Sequence, residues 1–288
     1  MLKEPGPIVS RRQLGSALRR LRTDAGHSVD SVASQMLTSP SKISRIETGQ
    51  RNASLRDVRD LCELYLVETR YRELLLRLAS ASRQHGWWRT FSPSPSLETV
   101  VGLEASASRI SIFELAGVPP LLQTRDYAEA VQERLLPGDT AARTRVIELH
   151  IARRNFLGNY ESPRLHVIVD EAVLRRTVGN RSTMRGQLEF LIEMAEAGEA
   201  IIQAVTFAAG AHEGMTGGFT VLEFDSHPEG PFDLTIGDVV YWEGPDGDSV
   251  SEESAIVDDR VNSLQRLRER ALSPTESLQF VRLLHEQL

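Results

Sequence analysis

The 288-residue sequence predicts a multidomain chain, an all-α head of five short helices followed by an α+β domain with a small antiparallel sheet. Three observations predict this. Apolar residues recur at helical spacing five times within the first 82 residues, each run closed by a turn signal. A Pro/Ser-rich stretch, Ser92-Pro93-Ser94-Pro95-Ser96, follows. Beyond it the apolar period alternates between the helical value and the strand value of two. The expected bounds are 1–82 for the head, 83–98 for a linker and 99–288 for the second domain.

In the head, Leu14, Ala17, Leu18 and Leu21 fall at i, i+3, i+4 and i+7, predicting a helix over about residues 11–25 that stops at Gly26. Ser28 is the N-cap of a second, carrying Val29, Val32, Ala33 and Met36. Leu37-Thr38 is a break. Ser39-Pro40 opens the third helix with a capping hydroxyl and a proline at the first helical position, where the missing N–H is not needed. Ser54 caps a fourth helix with Leu55, Val58, Leu61, Cys62 and Tyr65. A fifth places Tyr71, Leu74, Leu75, Leu78 and Ala79 on one face.

The third helix, residues 39–47, is the informative one. Ile43 and Ile46 are its only large apolar residues, and its outer side presents Ser41, Lys42, Ser44 and Arg45 with no acid among them. Two anchors under a polar, basic face suit a helix that enters the major groove. There Arg45 can reach guanine O6 and N7, Lys42 can do the same or hold a phosphate, and Ser39 and Ser41 offer hydroxyls. Charge agrees. The formal net charge of -7 conceals a split, since residues 1–82 carry 14 basic against 9 acidic residues and the remainder 19 against 31. A basic head on an acidic body points to nucleic acid or membrane. No run of about 18 apolar residues exists to span a bilayer, and residues Met1–Pro7 lack the apolar segment of a signal peptide. A cytoplasmic chain is expected.

Residues 12–66, centred on Ser39-Pro40-Ser41-Lys42-Ile43-Ser44-Arg45-Ile46-Glu47-Thr48-Gly49, resemble the phage-repressor-type helix-turn-helix of xenobiotic-response-element regulators. The resemblance implies that the third helix reads double-stranded DNA. Bases would be met by Pro40, Ser41, Lys42 and Arg45, and phosphates by Ser39 and the loop Gln50-Arg51-Asn52. It also implies a structural ion pair between Arg22 and Glu47. Two positions depart from the pattern: Leu37 stands where the turn often has glycine, and Val29 where a phosphate-binding glutamine is common. A bulky residue at positive φ is strained, so a slightly different turn is expected at Leu37.

In the second domain, residues 97–116 read as helical, and further helices are expected after Thr124, over 141–157, over 183–197, over about 252–272 and from Ser273-Pro274 onward. Strands are expected at 165–170, 201–207, 219–224 and 239–242. Adjacent Trp87 and Trp88 read as a pair that docks the linker, with a ligand cage as the other reading. The Gly210–Gly218 loop is a long hairpin connection, a lid or a partner-binding edge. Asp170-Glu171 read as caps of a following helix.

No catalytic motif is assembled. HExxH, GxGxxG and GxSxG do not occur, and no Gly-Lys-Ser/Thr step exists for a P-loop. The single cysteine, Cys62, excludes an intramolecular disulfide and CxxC metal sites. His166, His212, His227 and Asp170 have no metal-ligand spacing. Neither an enzyme nor a cofactor or metal protein is expected.

Gly86-Trp87-Trp88, Val118-Pro119-Pro120-Leu121-Leu122-Gln123-Thr124, Val169-Asp170-Glu171-Ala172-Val173-Leu174-Arg175-Arg176 and Gly210-Ala211-His212-Glu213-Gly214-Met215 occur in series. Phe219–Phe224 and Ala271-Leu272-Ser273-Pro274 follow. In this order they are similar to the domain of unknown function that follows a helix-turn-helix in regulators of high-GC Gram-positive bacteria, described as antitoxin-like. The resemblance implies a transcription regulator, commonly encoded beside a small partner protein. The expected state is a homodimer, because two heads on half-sites one helical turn apart multiply a modest affinity. A small-molecule effector and a protein partner are both open for the second domain. An antitoxin-like chain that sequesters a small, basic partner is the alternative reading.

Overall fold

A computed structural model of the chain describes residues 6–157, 165–225, 228–229, 232–234, 236–244 and 247–288. His227 and residues 1–5 lie outside the described residues. The chain forms two compact units, residues 1–89 with 224–237, and residues 90–223 with 238–288.

The first unit opens with five helices: α1 (Pro7–Asp24), α2 (Val29–Gln35), α3 (Pro40–Glu47), α4 (Leu55–Leu64) and α5 (Thr69–Ala81). Their caps are local. Ser28 Oγ accepts from Ser31 N, Ser39 Oγ from Lys42 N, and Ser54 shares a reciprocal capping box with Asp57. Gly26 at φ +71 closes the turn after α1. One apolar core joins the helices, with Leu14, Leu18, Val32, Ile43, Ile46, Val58, Leu61 and Leu75 all buried. α1 passes so close to α3 that a Cβ on Gly15 would stand 2.6 Å from the Ile46 carbonyl oxygen.

The turn between α2 and α3 keeps Leu37 in the left-handed region at φ +49, with its side chain 94% exposed. A different turn, expected from the bulk of leucine, is not used; the chain accepts the strain. That strain is on the order of 1–2 kcal/mol for a residue with a Cβ. Because the side chain packs on nothing, Leu37→Gly is expected to hold or raise stability by up to about 1 kcal/mol, after the entropy of glycine in the unfolded chain is set against the relief. A urea midpoint lower than that of the parent would contradict this.

Residues 83–98, expected as a linker, hold a 3-10 turn (Trp87–Phe91) and the start of α6 (Pro95–Glu104). Trp88 is buried, and its ring occupies the place of a Cβ on Gly86, so it is not an open cage.

The second unit continues with β1 (Arg109–Glu114), α7 (Arg125–Leu135), α8 (Thr140–Leu157), β2 (Leu165–Asp170), α9 (Glu171–Arg175), α10 (Arg181–Glu196), β3 (Ala200–Val205) and β4 (Phe219–Glu223). The segment 224–237 that follows, with the short pair β5 (Pro228–Glu229) and β6 (Phe232–Asp233), belongs to the first unit and adds Leu234 to its core. The first unit is thus built from two separate stretches of the chain. Then come β7 (Val239–Gly244), β8 (Gly247–Ser251), α11 (Ser254–Arg270) and α12 (Pro274–Gln287).

The sheet order is β3-β2-β1-β4-β7-β8. The pairs β1–β4, β4–β7 and β7–β8 are antiparallel, as expected, whereas β1–β2 and β2–β3 are parallel. Parallel neighbours need crossovers, here α7–α8 and α9–α10. Residues 97–116, expected as one helix, split into α6 and β1. β1 is buried at Ile110, Ser111, Ile112 and Phe113, so it shows no polar alternation. The Gly210–Gly218 loop is also corrected. It joins β3 to β4, which are three places apart in the sheet, so it crosses the sheet end and is not a hairpin.

Candidate nucleic-acid interface

α3 is anchored by Ile43 and Ile46, each 2% exposed, and the pattern of the helix then turns Ser41, Ser44 and Arg45 outward. Pro40 at its first turn is exposed as well. Arg45 has no ion-pair partner among the described residues. The loop that follows leaves Gln50, Arg51 and Asn52 exposed, and Arg51 N bonds to the Arg45 carbonyl at 2.9 Å, which fixes the loop against the end of α3.

The helix is held in place by charge as well as by packing. Arg22 grips Glu47 with two bonds, Nε to Oε1 at 2.7 Å and Nη2 to Oε2 at 3.0 Å, while Nη1 donates to the His27 carbonyl at 2.8 Å. The planar fork of arginine matches the carboxylate. One contact thus ties α1 and the turn before α2 to the end of α3.

Lys42, unlike Arg45, is engaged within the protein. Its Nζ lies 2.7 Å from Asp57 Oδ1, and the other oxygen, Oδ2, accepts from Ser54 N at 3.0 Å. Burial would raise the Asp57 carboxyl, but the Lys42 ammonium and the Ser54 hydrogen bonds outweigh it and hold it below its ordinary value. Ser39 Oγ is engaged by the Lys42 amide at 3.2 Å, leaving its hydroxyl proton as the group that can donate outward. An open notch of about 540 Å³ lies beside this pair, lined by Lys42, Arg51, Asn52, Ser54, Asp57 and Arg83. Asp57 and Arg83 were not singled out in the sequence; both come into place only when α3, α4 and the end of α5 pack.

In the second unit, Asp170 caps α9 through Ala172 N at 2.7 Å and also meets His212 Nε2 at 3.1 Å. Glu171 accepts from Phe207 N at 2.8 Å, and Glu213 pairs with Arg266 and Arg270. These contacts fasten the loop over the sheet end, and Gly214 sits where a Cβ would meet the Phe113 ring at 2.1 Å. His166 is instead bonded to Gln203 at 2.8 Å. Among the described residues, no three His, Cys, Asp or Glu side chains are grouped to hold a metal.

Glu114, at the end of β1, lies against Gly218, where a Cβ would stand 2.6 Å from its Oε2. Burial, with a smaller contribution from the negative charge of Glu243, pushes its carboxyl up to about 8 from the ordinary 4.5. The folded chain then holds this proton where the unfolded chain releases it. The associated stability is complete below the unfolded value and is lost as pH rises through the folded one. Glu114→Gln, which keeps the neutral form, should exceed the parent in stability by a margin that grows from about pH 4.5 to about pH 8, reaching on the order of 5 kcal/mol. Denaturant titrations across that range check it; a margin that shrinks with pH would reverse the assignment.

The five-helix arrangement, with a short polar helix displayed on two apolar anchors, defines a helix-turn-helix DNA-binding protein. Residues 13–75 match the family described as a helix-turn-helix domain. Residues 97–283 match the family described as Domain of unknown function (DUF5753), and the chain belongs to that family. No curated protein and no solved structure matches the chain. Among the described residues, no helix is long and apolar enough to cross a membrane.

Proposed function

We infer that the chain is a sequence-specific transcription regulator of the xenobiotic-response-element type. It acts in the cytoplasm as a homodimer on double-stranded DNA, with the second unit sensing a small molecule or docking a protein partner. The observation that carries the reading is the free outer face of α3, where Arg45 and Ser41 are exposed over a helix fixed by Ile43, Ile46 and the Arg22–Glu47 pair. Arg45→Ala is expected to cost about 1–3 kcal/mol of specific binding and to relax preference at one base pair. Selection from a random duplex pool with parent and variant measures this; identical selected sequences would remove Arg45 from base reading. Native mass spectrometry of the purified chain tests the dimer. The reading assigns binding and not catalysis; among the described residues the His212–Asp170 contact caps α9 and holds the loop.

A second reading is an antitoxin-like protein that sequesters a small partner and regulates itself through DNA. Phe207 and Met215, 59% and 63% exposed on the β3–β4 loop, favour a docking edge there. A small protein that co-purifies in fixed stoichiometry, and is lost from a Phe207→Ser variant, would establish this reading.

A further inference from the structure

The geometry points to the notch beside Lys42 as the seat of one phosphate of the DNA backbone, with Arg83 as a DNA contact lying outside the helix-turn-helix module. This rests on the DNA-binding reading above and extends it. Arg83 stands two residues past α5, beyond the residues matched to the helix-turn-helix family.

The charges in the notch decide its ligand. Lys42 and Asp57 neutralise each other at 2.7 Å. Arg51 and Arg83 are exposed and have no ion-pair partner among the described residues, so the notch keeps a surplus of two positive charges. Asn52 adds an amide donor. The start of α4 at the same wall is already closed by the Ser54–Asp57 capping box, so the donors that remain for a ligand are side chains. Two guanidiniums and an amide around an open concavity suit an anion with several oxygens. Asp57 is the one anionic group in the lining, and its charge is already taken up by Lys42.

Two consequences follow. Lys42 becomes a positioning residue: it carries the α4 cap toward the notch, and base reading narrows to Ser41, Arg45 and the exposed edge of Pro40. The DNA footprint also reaches past α5, to residues of the first unit outside the five helices.

The test uses the full chain and a fluorescent random-sequence duplex, with affinity followed by anisotropy over a potassium chloride series. Arg83→Ala is expected to lower the slope of log affinity against log salt by about 0.9 per head and to weaken all sequences alike. Arg83→Lys should restore the slope. If the parent binds no duplex at all, the DNA-binding reading fails. If the parent binds and Arg83→Ala, with an unchanged melting temperature, keeps the parental slope, only the notch assignment fails. A parallel melt with inorganic phosphate separates the two sources of phosphate. Stabilisation of the parent but not of Arg83→Ala, together with an unchanged DNA slope, would mark a free-anion site and overturn the proposal.

Discussion

Gly15→Ala should displace α3 and destabilise the head by about 3 kcal/mol, with DNA affinity falling further than stability. The added methyl would meet the carbonyl oxygens of Ile46 and Glu47 at 2.6 and 2.8 Å, and both are backbone atoms that no rotamer change can move away. Overpacking of a closed contact costs about 1–3 kcal/mol and sometimes more. Alanine's better helix propensity returns only about 1 kcal/mol of this. Because the atoms struck belong to the last turn of α3, the strain enters the same turn that holds Glu47 and precedes the Arg51 loop. Urea unfolding combined with anisotropy on a selected duplex would show both effects. Parental values in both would mean that α1 and α3 can separate without consequence.

Arg153→Leu should destabilise the second unit by about 3–5 kcal/mol, the range for breaking a buried ion pair from one side. Arg153 Nε and Nη2 bond to the two Glu104 oxygens at 3.1 and 2.5 Å, with side chains 7% and 3% exposed. Removing the guanidinium leaves a carboxylate without water or partner. The companion variant, Arg153→Leu with Glu104→Leu, should recover most of the loss, since an apolar pair of similar volume replaces both charges. A double variant no more stable than the single one would instead assign the loss to packing around Arg153. Thermal unfolding of the four chains completes the cycle.

The head was largely legible from sequence because its determinants are local. Ser28, Ser39-Pro40 and Ser54 announce their helices by chemistry that acts within three residues, and Ile43 and Ile46 declare the buried side of α3. What was not legible depends on distant packing. The close approach of α3 to Gly15 and the pairing of Asp57 with Lys42 join residues distant along the chain, which no local pattern announces. In the second unit, β1 hid because both its faces are covered, and the course of the Gly210–Gly218 loop depended on where β4 sits in the sheet. Leu37 shows the reverse case: the strain was legible, and the fold tolerates it.

Leu234 contributes to the core of a unit whose helices α1 to α5 are complete by residue 81. During synthesis from the N-terminus, those helices leave the ribosome long before this residue is made. Their apolar centre stays short of one member until the strands β1 to β4 have been translated. The head therefore reaches its final packing only in a chain that already carries much of its second unit, and a product terminated early would present a DNA reader with an unfinished interior.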